Sequence, residues 1–356
     1  MKIALDTQST LGQKTGIGHY TAELLRALQR VAPQHEYVSL DWQQDPPMRL
    51  NRRLYWQQWE LPQRTRKAKT DLLHVTGFDA PRIKPCPVVL TVHDLIGALY
   101  PQHFPHIARF YWSRWLPYSI RWADVVIADS QNTRGDILRL TGIPASKVHV
   151  VPLGIPQRYS ALIPLKERER VQRQYRLPKK FILYTGTIEP RKGLDTLVAA
   201  FGQIAASYPH TLIIAGKVGW YGESLKTQIA SLELNERVQT IGYIPDDDLP
   251  ALYASAEVFV FPSRYEGFGL PPLEAMACGT PVVCSNASSL PEVTGDAAIL
   301  TPPDYPEALA AALRRVLENA RLRATLREQG LQRARAFTWD ETARQTLRVY
   351  EQVVRQ

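Results

Sequence analysis

The chain has 356 residues, of which 45% are hydrophobic and 22% charged, with a net charge of +9. That is enough for two ordinary globular domains, and the balance excludes a disordered or fibrous chain. No apolar run approaches the roughly 20 residues needed to span a bilayer. Cys86, Cys278 and Cys284 lie scattered without metal-ligand spacing, and the N-terminus reaches Asp6 too soon for a signal peptide. Reduced thiols in a cytoplasmic protein are therefore expected.

Short apolar runs alternate with longer helical patterns along the whole chain, which predicts parallel sheets built from strand–helix–strand units. In the first half the predicted strands are Lys2–Asp6, Glu36–Leu40, Asp71–Val75, Val88–His93, Val125–Asp129 and Val148–Pro152. In the second half they are Phe181–Thr185, Thr211–Ala215, Val238–Tyr243, Val258–Pro262, Pro281–Ser285 and Ala298–Thr301. Two sets of six, parted near residue 155, predict two doubly wound α/β domains, placed at residues 1–160 and 161–339. The charged stretch Lys166–Arg176 reads as a surface helix opening the second. Thr338 can cap the last helix, with Trp339 as an apolar anchor and Glu341 in its first turn.

The charge is unevenly shared: residues 1–160 carry a net +8 and residues 161–356 a net +1. Six of the eight tryptophans also fall in the first part. They are concentrated in Arg49–Trp59, which is followed by Arg64, Arg66, Lys67 and Lys69, and in Phe110–Tyr118. Basic surface with interleaved aromatics suits nucleic acid or an anionic membrane face. A solvated helix face with tryptophans turned into the core gives the same composition.

Four segments carry the chemistry. Thr15-Gly16-Ile17-Gly18 follows the first strand, where glycines allow close backbone approach and a helix N-terminus favours an anion. It lacks the third glycine of a dinucleotide fingerprint. His93 ends a strand, and an imidazole there can donate to a sugar hydroxyl or a developing oxyanion. Arg191 and Lys192 sit at a strand–helix turn as natural partners for a diphosphate. Two cations at a helix start are unfavourable without an anion, which itself hints at phosphate. Glu266 falls on a glycine-flexed loop just past a strand. Glu274, eight residues on, falls in the first turn of a helix opened by Pro271 and Pro272. The carboxylates can accept from sugar hydroxyls, and the N–H groups of Gly267, Phe268, Gly269 and Leu270 can hold an anion. A ligand with hydroxyls at both ends and phosphate between them fits that arrangement. Taken singly, each segment has a plainer reading: an ordinary turn, a structural histidine, solvated charges, or a glutamate answering a helix dipole.

Taken together, Glu266 to Glu274 resembles the Glu-x7-Glu signature of the family 4 retaining glycosyltransferases, which have the two-domain GT-B architecture. The likeness extends over nearly the whole chain, through Thr15–Tyr20, Thr91-Val92-His93-Asp94, Val151–Ile155, Gly186–Gly193 and Phe337-Thr338-Trp339. It implies two Rossmann-like domains facing each other across a cleft. The first would bind acceptor and be completed by a terminal helix at 340–356; the second would bind nucleotide sugar. The turn at Gly16 and Gly18 would lie beneath the donor diphosphate and sugar. His93 would position the sugar and stabilise an oxocarbenium ion. Arg191 and Lys192 would neutralise the diphosphate, Glu266 would hold sugar hydroxyls and Glu274 the ribose. Thr187 stands where many members carry arginine, so Arg191 would supply that cation from four residues further on.

The implied reaction is retaining transfer of a hexose to an acceptor hydroxyl by front-face substitution. No Asp-x-Asp metal motif is expected in the chain, so phosphate neutralisation falls to Arg191, Lys192 and backbone dipoles, and no cofactor or essential metal is expected. Likeness to the mannosyl branch, through Glu189-Pro190-Arg191-Lys192 and Glu266–Pro271, implies mannose from GDP-mannose; glucose, galactose and rhamnose remain open. A glycan or polyprenyl-diphosphate-linked acceptor at the inner face of a membrane would account for the basic, aromatic first domain. An epimerase, a phosphorylase or a non-catalytic sensor of sugar nucleotides could share the architecture. A nucleic-acid-binding module would explain the charge but not the two glutamates, so no nucleic-acid partner is expected.

Overall fold

The computed structural model describes residues 1–12, 16–42, 50–103, 106–217, 219 and 221–355. Thr15 of the glycine turn and Arg49 of the first basic stretch lie outside the described residues. Contacts divide the chain into unit 1, Met1–Gly154 with Phe337–Gln356, and unit 2, Ile155–Ala336. The first crossing thus comes after Gly154 rather than after residue 160.

Unit 1 is built on β1 Lys2–Asp6, β2 Glu36–Leu40, β3 Leu72–Val75, β4 Val88–Val92, β5 Val125–Ala128 and β6 Val148–Val150, in the order β2-β1-β3-β4-β5-β6. Unit 2 is built on β7 Phe181–Thr185, β8 Thr211–Ala215, β9 Val238–Gly242, β10 Val258–Phe261, β11 Val282–Ser285 and β12 Ala298–Thr301, in the order β12-β11-β10-β7-β8-β9. Every neighbouring pair is parallel. β3, β4, β5, β7, β10 and β11 are buried at every position. That is why their sequences are nearly continuous apolar runs, broken only by single buried polar residues such as His74 and Thr91. His93, Asp129, Pro152, Tyr243 and Pro262 fall just past the strands they were expected to end, at the carboxyl edges of the sheets.

Those edges matter because a doubly wound sheet opens a crevice where its strand order reverses. In unit 1 the chain winds from β1 to β2 on one side and to β3 through β6 on the other, so loops diverge between β1 and β3. In unit 2 the same reversal lies between β7 and β10.

The last helix, Trp339–Val354, belongs to unit 1 and packs on the helix Gly16–Val31. Thr338 caps it, its hydroxyl accepting from Glu341 N at 3.2 Å. The hydroxyl of Tyr350 lies 2.6 Å from Nδ1 of buried His74, and Thr342 donates to the Pro152 carbonyl at 2.8 Å. A side chain at Gly154 would come within 2.2 Å of Trp339 N, so only glycine admits that close pass.

Two π-helical turns, Trp56–Glu60 and Tyr111–Trp115, interrupt the basic aromatic segments and aim polar groups inward. Trp56 Nε1 and Gln57 Nε2 donate to Asp6 at 3.1 and 2.6 Å, while Tyr111 and Gln58 donate to Asp79 at 2.7 and 2.6 Å. Both aspartates are buried. Burial pushes the Asp6 carboxyl up to about 6.

Candidate functional site

At the unit 2 crevice, β7 leads through Gly186–Glu189 into the single 3-10 turn Pro190–Lys192. β10 leads through Pro262–Gly269 into the helix Leu270–Ala277. Gly193 brings the two loops together. Its φ is 67°, and a Cβ there would lie 2.2 Å from the Pro262 carbonyl oxygen. Arg264 ties the same junction. Its main-chain N–H donates to Arg191 O at 2.7 Å, and its guanidinium reaches Asp195 at 2.7 Å, Asp304 at 2.6 Å and the Pro190 carbonyl.

The expected cations and one expected acid meet here. Lys192 Nζ donates to Glu266 Oε1 at 2.6 Å, and Ser263 donates to the same oxygen at 2.5 Å. Arg191 Nη1 donates to Glu266 Oε2 at 3.3 Å and to the Tyr265 carbonyl at 3.0 Å, while its Nη2 lies 2.7 Å from Glu189. Lys192 and Glu266 are only 8% and 9% exposed, so each charge depends on the other to remain in the interior. Burial pushes the Glu266 carboxyl up, but the Lys192 and Arg191 charges outweigh it and hold the group below its ordinary value. This alters one expectation: Glu266, assigned to sugar hydroxyls, is here the buried counter-ion of the two cations assigned to phosphate.

Glu274 differs from expectation in place as well. The helix starts at Leu270, so Glu274 is its fifth residue and lies beyond the first turn. Tyr253 donates to its Oε2 at 3.0 Å. Burial pushes its carboxyl up to about 7, against the pull of Tyr253 and Arg158. Gly269, with φ 108°, caps the helix without a side-chain bond, and Pro271 and Pro272 carry no N–H.

Two serines that the sequence reading passed over hold this loop. Glu266 N donates to Ser288 Oγ at 2.8 Å, and Ser289 donates to the carbonyls of Glu266 and Phe268 at 3.0 and 2.6 Å. The available signal was a Ser-Ser-Leu-Pro run, Ser288–Pro291, in the loop after β11, the neighbour of β10. The run Asp246-Asp247-Asp248 has Asp-x-Asp form, which corrects the expectation that the chain carries none. Asp248 is taken by Arg170, Tyr175 and Gln174, and Asp246 pairs with Arg158. Among the described residues no three His, Cys, Asp or Glu side chains gather as a metal-holding group.

In unit 1, Gly16 and Gly18 open the helix Gly16–Val31. Beneath it Thr21 donates to Thr76 at 2.8 Å, and Thr76 donates to the Asp6 carbonyl at 2.8 Å. His93 Nδ1 lies 2.7 Å from Asp129 Oδ2 and Nε2 lies 2.9 Å from the Thr76 carbonyl. The Thr76 carbonyl can only accept, so Nε2 donates to it, while Nδ1 faces a carboxyl whose own pKa is raised by burial. Burial pushes the ring down, but the Asp129 charge and the hydrogen bonds prevail and its pKa is raised. The N–H expected to serve a sugar hydroxyl is here engaged by the Thr76 carbonyl. Next to it is a cavity of about 240 Å³ walled by Ile17, Phe78, Val92, Ile96 and Trp112. Phe78 holds φ 68°, a costly conformation for a bulky residue, and the Arg53 guanidinium lies 3.7 Å over its ring.

Residues 15–158 match the family described as Glycosyltransferase Family 4, and residues 166–333 match Glycosyl transferases group 1. O-antigen chain mannosyltransferase B of Escherichia coli is 35% identical over 74% of this chain and 70% of its own length. The chain belongs to the family 4 glycosyltransferases. The serotype-specific mannosyltransferase WbdA of Escherichia coli is 34% identical over 73% of this glycosyltransferase, which spans only 32% of that longer protein. Among solved structures, sucrose-phosphate synthase from Thermosynechococcus elongatus aligns with a TM-score of 0.77 at 24% identity, covering 99% of this chain and 98% of that one. That likeness establishes the GT-B fold of the glycosyltransferase.

Proposed function

We propose that this glycosyltransferase moves mannose from GDP-mannose to an acceptor hydroxyl with retention, in the building of a polysaccharide or lipid-linked glycan, and needs no metal. The reading rests on Arg191 and Lys192, fixed side by side at the unit 2 switch point, which match the charge and geometry of a diphosphate. Negative charge grows on the leaving diphosphate in the transition state, so preorganised cations there accelerate transfer. The N–H groups near Gly267–Leu270 add fixed dipoles, and Glu274 takes the ribose hydroxyls. Both oxygens of Glu266 are occupied by Lys192, Ser263 and Arg191, which suits orientation of the cations and not nucleophilic attack. Retention then comes from front-face substitution, with the departing phosphate taking the acceptor's proton, in place of the covalent carboxylate intermediate of retaining glycosidases. The choice of mannose follows the names of the relatives above and the Glu189–Lys192 run. Unit 1 binds the acceptor. Its apolar cavity beside Arg53 suits a lipid-linked diphosphate, and its basic surface suits an anionic membrane face on the cytoplasmic side.

A thermal-shift screen over nucleoside diphosphates and their sugars tests the donor, since a ligand at 100 times its Kd stabilises by about 2.7 kcal/mol. Stabilisation by guanosine and not uridine nucleotides is expected; the reverse removes GDP-mannose. NMR of product made in EDTA tests the rest. A β-linked mannose, or activity restored only by manganese or magnesium, overturns retention or metal independence respectively.

A further inference from the structure

The two cations of the unit 2 crevice are already answered before a donor arrives. Glu266 pairs with Lys192 at 2.6 Å and Arg191 Nη1 at 3.3 Å, and Glu189 pairs with Arg191 Nη2 at 2.7 Å. Two cations against two carboxylates give these four side chains no net charge, so an entering diphosphate meets no cationic surplus among them. It gains the planar edge of Arg191 only if a carboxylate gives way.

The two carboxylates are not equivalent. The Glu266 side chain is 11% exposed, accepts from Ser263 at 2.5 Å, and sits on a main chain held by Ser288 and Ser289. The Glu189 side chain is 29% exposed and stands at the start of the Pro190–Lys192 turn without capping it. An ion pair near water contributes little and parts easily, whereas breaking a buried one leaves an uncompensated charge in the interior. Glu189 is therefore the one to leave.

We propose that Glu189 is the resident counter-ion of Arg191, holding the guanidinium in place in the empty site and yielding it to the donor's diphosphate. The inference rests on unit 2 being the donor domain. It makes Glu189 a positioning residue that also sets a threshold. A singly charged anion replaces one carboxylate with little gain, while a diphosphate replaces it and adds a second charge and, in a nucleotide, ribose contacts.

The test is calorimetric titration of the full chain with inorganic diphosphate and with guanosine and uridine diphosphates, for the wild type, Glu189→Gln and Glu189→Ala. Both variants are expected to bind inorganic diphosphate about two- to five-fold more tightly than the wild type, the scale of one exposed ion pair, with a steeper loss in salt. Their melting temperatures without ligand should be unchanged. Glu266→Gln is the contrast: it leaves Lys192 unpaired in the interior and lowers the melting temperature. A residue that merely shaped the loop would weaken diphosphate binding on removal, so weaker or equal binding by both folded variants overturns the inference. If the wild type binds nucleoside diphosphate and the variants show no gain, this inference alone falls. If the wild type binds neither nucleoside diphosphate, the donor-domain reading falls and takes this one with it.

Discussion

Glu274 shows how far a single residue can be read. Its type and position beyond β10 mark it as a hydroxyl acceptor, but its charge state depends on burial and on Tyr253, Tyr159 and Arg158, which come from distant parts of the chain. With its pKa near 7, well above the ordinary carboxyl range, the empty native state holds a proton that the unfolded chain has lost. Stability from this group is therefore gained as pH falls from about 7 toward the ordinary carboxyl range, and lost as pH rises through 7. Ribose hydroxyls favour the ionised form. Affinity for guanosine, which carries the ribose but no phosphate that titrates in this range, should thus rise with pH up to about 7 and level off above it, while Glu274→Gln binds more weakly with a flat profile. Titrations from pH 5.5 to 8.5 decide this, and a wild-type profile as flat as the variant's removes Glu274 from the ribose. Similar limits applied to Glu266 and His93. Spacing put them at the right strand ends, but neither the two cations on Glu266 nor the partners at both His93 nitrogens could be seen in sequence. Ser288 and Ser289 act through main-chain atoms of another loop, which leaves little trace in residue type.

At the scale of elements the sequence was more legible. All twelve strands are present where the sequence put them, and the six buried at every position were the plainest, because strands covered on both faces are nearly apolar throughout. Their ends were less readable, since pairing stops where loops leave the sheet. Helix starts slipped for a local reason. Proline is tolerated through the first helical turn, so Pro271 and Pro272 could not fix Leu270 as the first residue. Gly193 joins two elements that no pattern in sequence connects. Its φ of 67° and the Pro262 carbonyl 2.2 Å from a would-be Cβ leave no room for a side chain. Gly193→Ala should cost about 1 kcal/mol or more and part the two loops, weakening nucleotide binding beyond what the loss of stability explains. Melting curves beside nucleotide titrations check this; full affinity in the variant would show that the loops hold their positions independently.

For the molecule as a whole, the charge imbalance was plain from composition, but the tryptophans were not what they seemed. Trp56 is fully buried, Trp112, Trp115 and Trp122 are half-buried, and Trp59 is 56% exposed. Exposed Tyr55, Phe110 and Tyr118 join Trp59 as the aromatics able to meet a lipid surface. Arg53 is engaged on Phe78, so the freer cations are Arg52, Arg66, Lys67 and Lys69. Replacing those four with glutamine should reduce co-sedimentation with anionic vesicles, at roughly 1 kcal/mol per basic residue near the surface, and leave nucleotide binding intact. Equal sedimentation of parent and variant would reduce the stretch to a solvated face. Among the described residues no helix is long and apolar enough to cross a membrane. The return of Trp339–Val354 to unit 1 also bears on truncation. Unit 2 is one continuous stretch of chain, whereas unit 1 is closed only by a helix that follows all of unit 2. Without it Tyr20, Leu24, Ala27 and Leu28 of the helix Gly16–Val31 lack the Trp339–Val354 helix that packs on theirs. A chain cut before Phe337 would keep all of unit 2 but leave that face of unit 1 uncovered, the kind of half-built species that aggregates or is held by chaperones.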